Sequence, residues 1–237
     1  MKTCWKFQKS GSIVVINVIW IVAIVSIGLL ISGSTLAVSP AMAQEAQTFA
    51  YVTNVGEDIV SVIDTESNIV VDTVSVGDEP RGIAITPAGS RVYVANQSDD
   101  TVSVIDTNIN TVIDTVPVGA EPRGVAITPD GTRVYVGNQF SDDVSIVSTA
   151  TNIEIDVVSV GNAPSGVAIT PDGAHVYVAN FGSANVSAIE TATNTVISTV
   201  PVKGTPQGVA ITPVVNALPI EVTINIHPKV LNLKSKG

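Results

Sequence analysis

"RGVAITPDGTRVYVGNQ" occupies residues 123–139. Forty-two residues later stands "SGVAITPDGAHVYVANF", residues 165–181, and forty-two earlier "RGIAITPAGSRVYVANQ", residues 81–97. The same interval separates Tyr51, Tyr93, Tyr135 and Tyr177, each opening a "YVxN" tetrapeptide. It also separates Asn68, Asn110, Asn152 and Asn194, and Pro80, Pro122, Pro164 and Pro206. A period of this length is the mark of a solenoid or a propeller and sets the frame for every local reading.

Each unit reads as four short strands. In the copy beginning at Gly124 they are "GVAIT" (124–128), "RVYV" (133–136), "VSIV" (144–147) and "IEIDVVSV" (153–160). The tripeptide Pro129-Asp130-Gly131 turns the chain between the first two, and Asn152 serves a tight turn between the last two. Turn signals at this spacing, with no helical periodicity, predict antiparallel meanders. Pro117 and Pro201 fall inside fourth strands. Proline cannot donate to a ladder, so the fourth strand is expected at the sheet edge. The Gly- and Ala-bearing first strand suits a crowded axis, and the apolar "VYV" strand suits a sheet covered on both faces. Like sheets covering one another's flanks describe propeller blades.

The copies are out of phase with the blades. The first begins at a second strand, "FAYVTN", and the last ends at a first strand, residues 208–213. The expected fold is therefore an all-β propeller of four 42-residue blades, closed by the last strand joining the opening three. An open arc and a ring completed by two chains are the alternatives.

The first 43 residues differ from this pattern. Lys2, Lys6 and Lys9 precede a stretch from Gly11 to Val38 with no charged residue, and Ala41 and Ala43 form an A-x-A-like site. This predicts a secretory signal peptide cleaved after Ala43, or else an uncleaved membrane anchor. Cys4 is the sole cysteine and lies before the apolar run, so the domain beyond it has no disulfide and no thiol chemistry. Removing the three lysines from the 11 basic residues leaves 8 against 21 acidic ones, a formal charge of −13. Such a surface argues against nucleic acid as a partner. Residues 214–237 break the period, and Ile220, Val222, Ile224 and Ile226 alternate as one more strand would.

Taken together, "YVTN" at Tyr51–Asn54, "VSVIDT", "PRGVAITPDG" and "RVYVAN" resemble the YVTN-family β-propeller repeat of archaeal surface-layer and bacterial secreted proteins. The resemblance covers residues 50–213 and implies a secreted or cell-surface binding or surface-layer module, not an enzyme. The partner would be a protein or a cell-envelope glycan, with a homodimer among the alternatives. The family's propellers usually have more blades than the four expected here. The broader superfamily includes lactonase-like enzymes and haem or copper propellers, which makes a lactonase-like or metal-dependent enzyme the rival reading.

Candidate chemistry is sparse. Of the two histidines, His175 stands where other copies carry Arg91 and Arg133, and His227 is in the tail. No nucleophile elbow or phosphate loop is present, and no cofactor is expected. Asp99–Asp100 and Asp142–Asp143 are weak candidate Ca²⁺ ligands, and solvated turns are the plainer explanation of such pairs. Arg81 and Arg123, followed in later copies by Ser165 and Gln207, precede first strands and would face one mouth of a central channel, where the arginines could hold an anion. Pairing with Asp78, Glu79 or Glu121 is the plainer role for them. Asn96 and Asn185 open N-glycosylation sequons expected in exposed loops.

Overall fold

The computed structural model describes residues 47–213. The predicted signal segment with its cleavage site after Ala43, Cys4, His227 and the alternating tail lie outside the described residues. Fifteen strands form four antiparallel sheets. The first has three strands: β1 (Phe49–Asn54), β2 (Ile59–Asp64) and β3 (Ile69–Ser75). The second holds β4 (Pro80–Ile85), β5 (Arg91–Asn96), β6 (Thr101–Asp106) and β7 (Thr111–Pro117). The third holds β8 (Pro122–Ile127), β9 (Arg133–Asn138), β10 (Asp143–Ser148) and β11 (Ile153–Ser159). The fourth holds β12 (Pro164–Ile169), β13 (His175–Asn180), β14 (Asn185–Glu190) and β15 (Thr195–Pro201).

Strands follow chain order across every sheet, so the proline-bearing strand is outermost, as its missing N–H requires. Pro117 sits opposite Thr101 and Pro201 opposite Asn185. The second strand is buried on both faces, with Val92, Tyr93, Val94 and Ala95 fully inaccessible in β5. That is why "VYV" lacks the polar alternation of a half-solvated strand.

The sheets stack in chain order through repeating apolar interfaces. Val60, Val62 and Val74 of the first sheet meet Val92, Val94 and Ile105 of the second. Tyr93, Val102, Val104 and Val116 meet Val134, Val136 and Val147 of the third. Tyr135, Val144, Ile146 and Val158 meet Val176, Val178 and Ile189 of the fourth. β-Branched side chains fill these flat layers because their single preferred rotamer packs well on a pleated surface.

Polar ties reinforce the layers and explain the recurring tyrosine and asparagine. Tyr51 Oη donates to Asn110 Oδ1 of the next sheet at 2.8 Å, and Asn110 Nδ2 donates to Asp72 at 3.0 Å. Tyr93, Asn152 and Asp114 repeat the chain of bonds, as do Tyr135, Asn194 and Asp156. Those asparagines hold φ near +50°, a conformation asparagine tolerates better than most residues. Arg91 and Arg133 add a second tie, donating to the carbonyls of Thr149 and Thr191 in the following sheet.

The inner strands crowd the axis. A Cβ at Gly82 would strike the carbonyl oxygen of Arg123, one at Gly124 that of Ser165, and one at Gly166 that of Gln207. Gly82 and Gly124 are thus fixed by backbone-to-backbone contact between neighbouring sheets, and Gly166 by the same contact with residues 207–209.

The ends differ from the expected closed ring. Residues 208–213 form no ladder, and among the described residues the first sheet remains three-stranded, without the inner strand that closure would add. Instead, residues 207–209 lie against Gly166 of β12, where the inner strand of a fifth sheet would stand. Val200 on the free flank of the fourth sheet is 45 % exposed, whereas its counterparts Val74, Val116 and Val158 are 4 %, 1 % and 6 % exposed. No apolar cluster among the described residues joins the fourth sheet to the first.

Candidate functional site

Clefts of about 280 Å³ and 230 Å³ recur between successive sheets at equivalent positions, beside Arg133 and Arg91 respectively. They follow from the repeat itself. A depression of about 300 Å³ is different, because every sheet contributes to it. It is lined by Thr53 and Val55 from the first sheet, Arg81 from the second, Arg123 from the third, Ser165 from the fourth, and Gln207. The four residues singled out from the sequence come together at one end of the inner strands.

Each lining side chain is placed by the strand start behind it. Pro80, Pro122 and Pro164 are buried and open β4, β8 and β12, so the next residue is delivered to the same level in each sheet. Thr53 Oγ1 donates to the Arg81 carbonyl at 3.0 Å, and Ser165 Oγ donates to the Gln207 carbonyl at 3.0 Å. Arg81 Nε donates to Gln97 Oε1 at 2.6 Å, and its guanidinium stands 3.6 Å from the Glu79 carboxylate. Gln97 in turn donates to Glu121 at 2.9 Å, which holds that carboxylate on the Gln97 amide. Among the described residues Arg123 makes no ion pair, so simple charge pairing accounts for Arg81 but not for Arg123.

Thr53 and Val55 were not among the sequence candidates. A signal existed: the third position of "YVxN" is Ala95, Gly137 and Ala179 in the later copies but Thr53 in the first. A hydroxyl that departs from the repeat at an inner position marks a place where the copies have diverged.

The paired acids do other work. Asp100 Oδ1 accepts the Glu121 N–H at 2.9 Å and Asp142 Oδ1 accepts the Ala163 N–H at 2.8 Å, each across the connection to the next sheet. Asp58 does the same for Glu79 at 3.0 Å. Asp99 accepts the Asp78 N–H at 2.8 Å, and Asp143 accepts Asn138 Nδ2 at 2.7 Å. All four Ca²⁺ candidates therefore spend oxygens on internal hydrogen bonds, and no grouping of three His, Cys, Asp or Glu side chains is found among the described residues.

The expected exposure of the Asn96 sequon is corrected. Asn96 is fully buried as the last residue of β5, and its amide donates to Thr101 and Ser103 hydroxyls at 3.0 and 2.9 Å. The terminal "N" of "YVxN" is an internal strand clamp, repeated by Asn138 on Ser145 and Asn180 on Ser187. Asn185 is half-buried at the start of β14 and accepts from Asn180 at 2.7 Å.

Burial pushes the Asp143 carboxyl above its usual range, and the neighbouring Asp142 charge adds to this, against the Asn138 hydrogen bond. A raised pKa means that ionisation is harder in the folded state. Asp143 therefore lowers stability above its folded pKa, and the loss is relieved as pH falls through that value. Asn185 fills the equivalent position in the fourth sheet and accepts from the equivalent donor, Asn180. Asp143→Asn is accordingly expected to raise the thermal midpoint at pH 7, with the gain shrinking on acidification. Thermal melts across pH check this, and a gain that grows toward acid pH would refute it.

Three comparisons bear on this geometry. A family model described as "Lactonase, 7-bladed beta-propeller" matches residues 37–113. A chain of Kuenenia stuttgartiensis hydrazine synthase matches with a TM-score of 0.62 and 28 % identity, covering 64 % of this chain. The fold is that of a β-propeller. The match spans 45 % of the hydrazine synthase chain, less than half its length. A search of curated proteins gives no significant match.

Proposed function

We propose that the chain is a secreted or cell-surface β-propeller of the YVTN type that binds without catalysis, holding an anionic group of a protein or envelope glycan at the Arg81–Arg123 depression. The observation that carries this reading is the convergence of two arginines, Ser165, Gln207 and Thr53 from successive sheets on one hollow. Arginine forks match carboxylate and phosphate groups, and among the described residues Arg123 has no carboxylate partner of its own. The basic start, apolar run and small-residue site of the first 43 residues support export. Loops vary while strands repeat, so selectivity belongs to the loops bordering the hollow.

The test uses immobilised polygalacturonate, a polymer of carboxylates, with neutral dextran as its control. Replacing Arg81 and Arg123 together by alanine is expected to weaken polygalacturonate binding at least about tenfold, since a charge-assisted hydrogen bond contributes about 1.5–3 kcal/mol. Unchanged binding, or equal retention on dextran, would contradict the assignment.

The family match favours a second reading, a lactonase-like hydrolase. Under it, purified protein holds stoichiometric metal and hydrolyses lactones. That pair of results would overturn the binding reading.

A further inference from the structure

The ends of the stack are complementary. Among the described residues the β1–β2–β3 sheet lacks an inner strand, and residues 207–212, which the repeat places as an inner strand, join no sheet. Val52 on the outer flank of the first sheet is 43 % exposed, while its counterparts Val94, Val136 and Val178 are fully buried. Val200 on the free flank of the fourth sheet is left open to the same degree. In every internal interface these two positions lie on facing sheets: Val94 with Val74, Val136 with Val116, and Val178 with Val158.

The connection to residues 207–212 also departs from the other three. Internal connections are capped by Asp58, Asp100 and Asp142, and the capped residues Glu79, Glu121 and Ala163 hold φ near +52°. At the fourth connection Ala184 replaces the aspartate, so among the described residues no carboxylate caps Thr205. The positive φ moves to Gly204, whose surroundings are open. This arm is seated against β12 but not tied down as its predecessors are.

We propose that the chain joins head to tail with a second copy of itself: residues 207–212 of one copy form the missing inner strand of the other copy's first sheet, and that sheet covers the free flank of the fourth. A second copy is the occupant the structure favours. The arm already stands where the next sheet's inner strand belongs, and the chain's own first sheet is not packed there. The internal ladders set the register. Ile83 pairs with Val94, Ala84 with Tyr93 and Ile85 with Val92. Three repeats on from Ile83, Ala84 and Ile85, and one repeat back from their partners, Val209 pairs with Val52, Ala210 with Tyr51 and Ile211 with Ala50 of the second copy.

The experiment uses the full chain with Cys4→Ser, carrying either Val52→Cys or Val209→Cys. Mixing the two variants under mild oxidation is expected to give a covalent product of twice the chain mass, absent from either variant alone. Light scattering of the parent chain should give at least twice the single-chain mass. Gly208→Ala supplies an independent arm. Its Cβ meets nothing within 4 Å in the single chain. In the assembly it would strike the Arg81 carbonyl of the second copy, so association should weaken at least tenfold while the melt of the dissociated chain is unchanged. Three results would each overturn the proposal. One is a cross-link formed only within the Val52→Cys/Val209→Cys double variant at single-chain mass, which assigns closure to the chain's own arm. Another is a single-chain mass with no cross-link. The last is an assembly that forms without the cross-link and is lost on removing residues 214–237, which gives the edge to the tail.

Discussion

Gly124→Ala is expected to destabilise the protein by about 3 kcal/mol or more, the upper end of what overpacking does. The added methyl would meet the Ser165 carbonyl oxygen and stand 3.0 Å from the Val167 nitrogen. Both belong to the backbone of β12, which is held by its own ladder to β13, so no flexible side chain can swing aside. Relief requires the third and fourth sheets to separate, and separation opens the interface of Tyr135, Val144 and Ile146 against Val176 and Val178. Gly56→Ala is the control, because nothing lies within 4 Å of a Cβ at that position. Denaturant midpoints of the two variants check the point. Equal midpoints would mean that the inner strands do not crowd one another.

The period made most of this fold legible in the sequence. A 42-residue interval with four strand signals leaves few architectures open, and the prolines in fourth strands ordered the sheet before any contact was known. Side-chain roles were harder to read. Tyr51 and Asn110 are 59 residues apart, one repeat plus an offset, and no local pattern announces that they bond. Asn96 opens a sequon that the sequence places in an exposed loop, yet its amide serves a buried strand. The paired acids resemble a cation loop, but the second carboxylate of each reaches 21 residues on to cap a connection.

Ring closure was not legible for a different reason. Curvature depends on the small angle between neighbouring sheets, set by side-chain volumes along the whole interface, and near-identical repeats encode it only as a sum. The candidate site was half legible. Arg81, Arg123, Ser165 and Gln207 stood out because they vary where the rest of the repeat is constant. Thr53 varies in the same way but on a neighbouring strand, and only the stacking brings it to the same hollow.

The fold depends on adjacent sheets shielding flanks that neither can bury alone. In the second sheet Val92 and Val94 face the first sheet, while Val102, Val104 and Val116 face the third. Removed from its neighbours, that sheet would return all of these to water, at roughly 2 kcal/mol for each large apolar side chain. Such a loss, about 10 kcal/mol in all, is as large as the 5–15 kcal/mol by which whole domains are stable. Residues 80–118 excised as a peptide are therefore expected to be unfolded. Circular dichroism on heating should show no cooperative transition, while the full chain melts sharply under the same conditions. A sharp, reversible transition in the excised unit at a midpoint near that of the full chain would contradict the account.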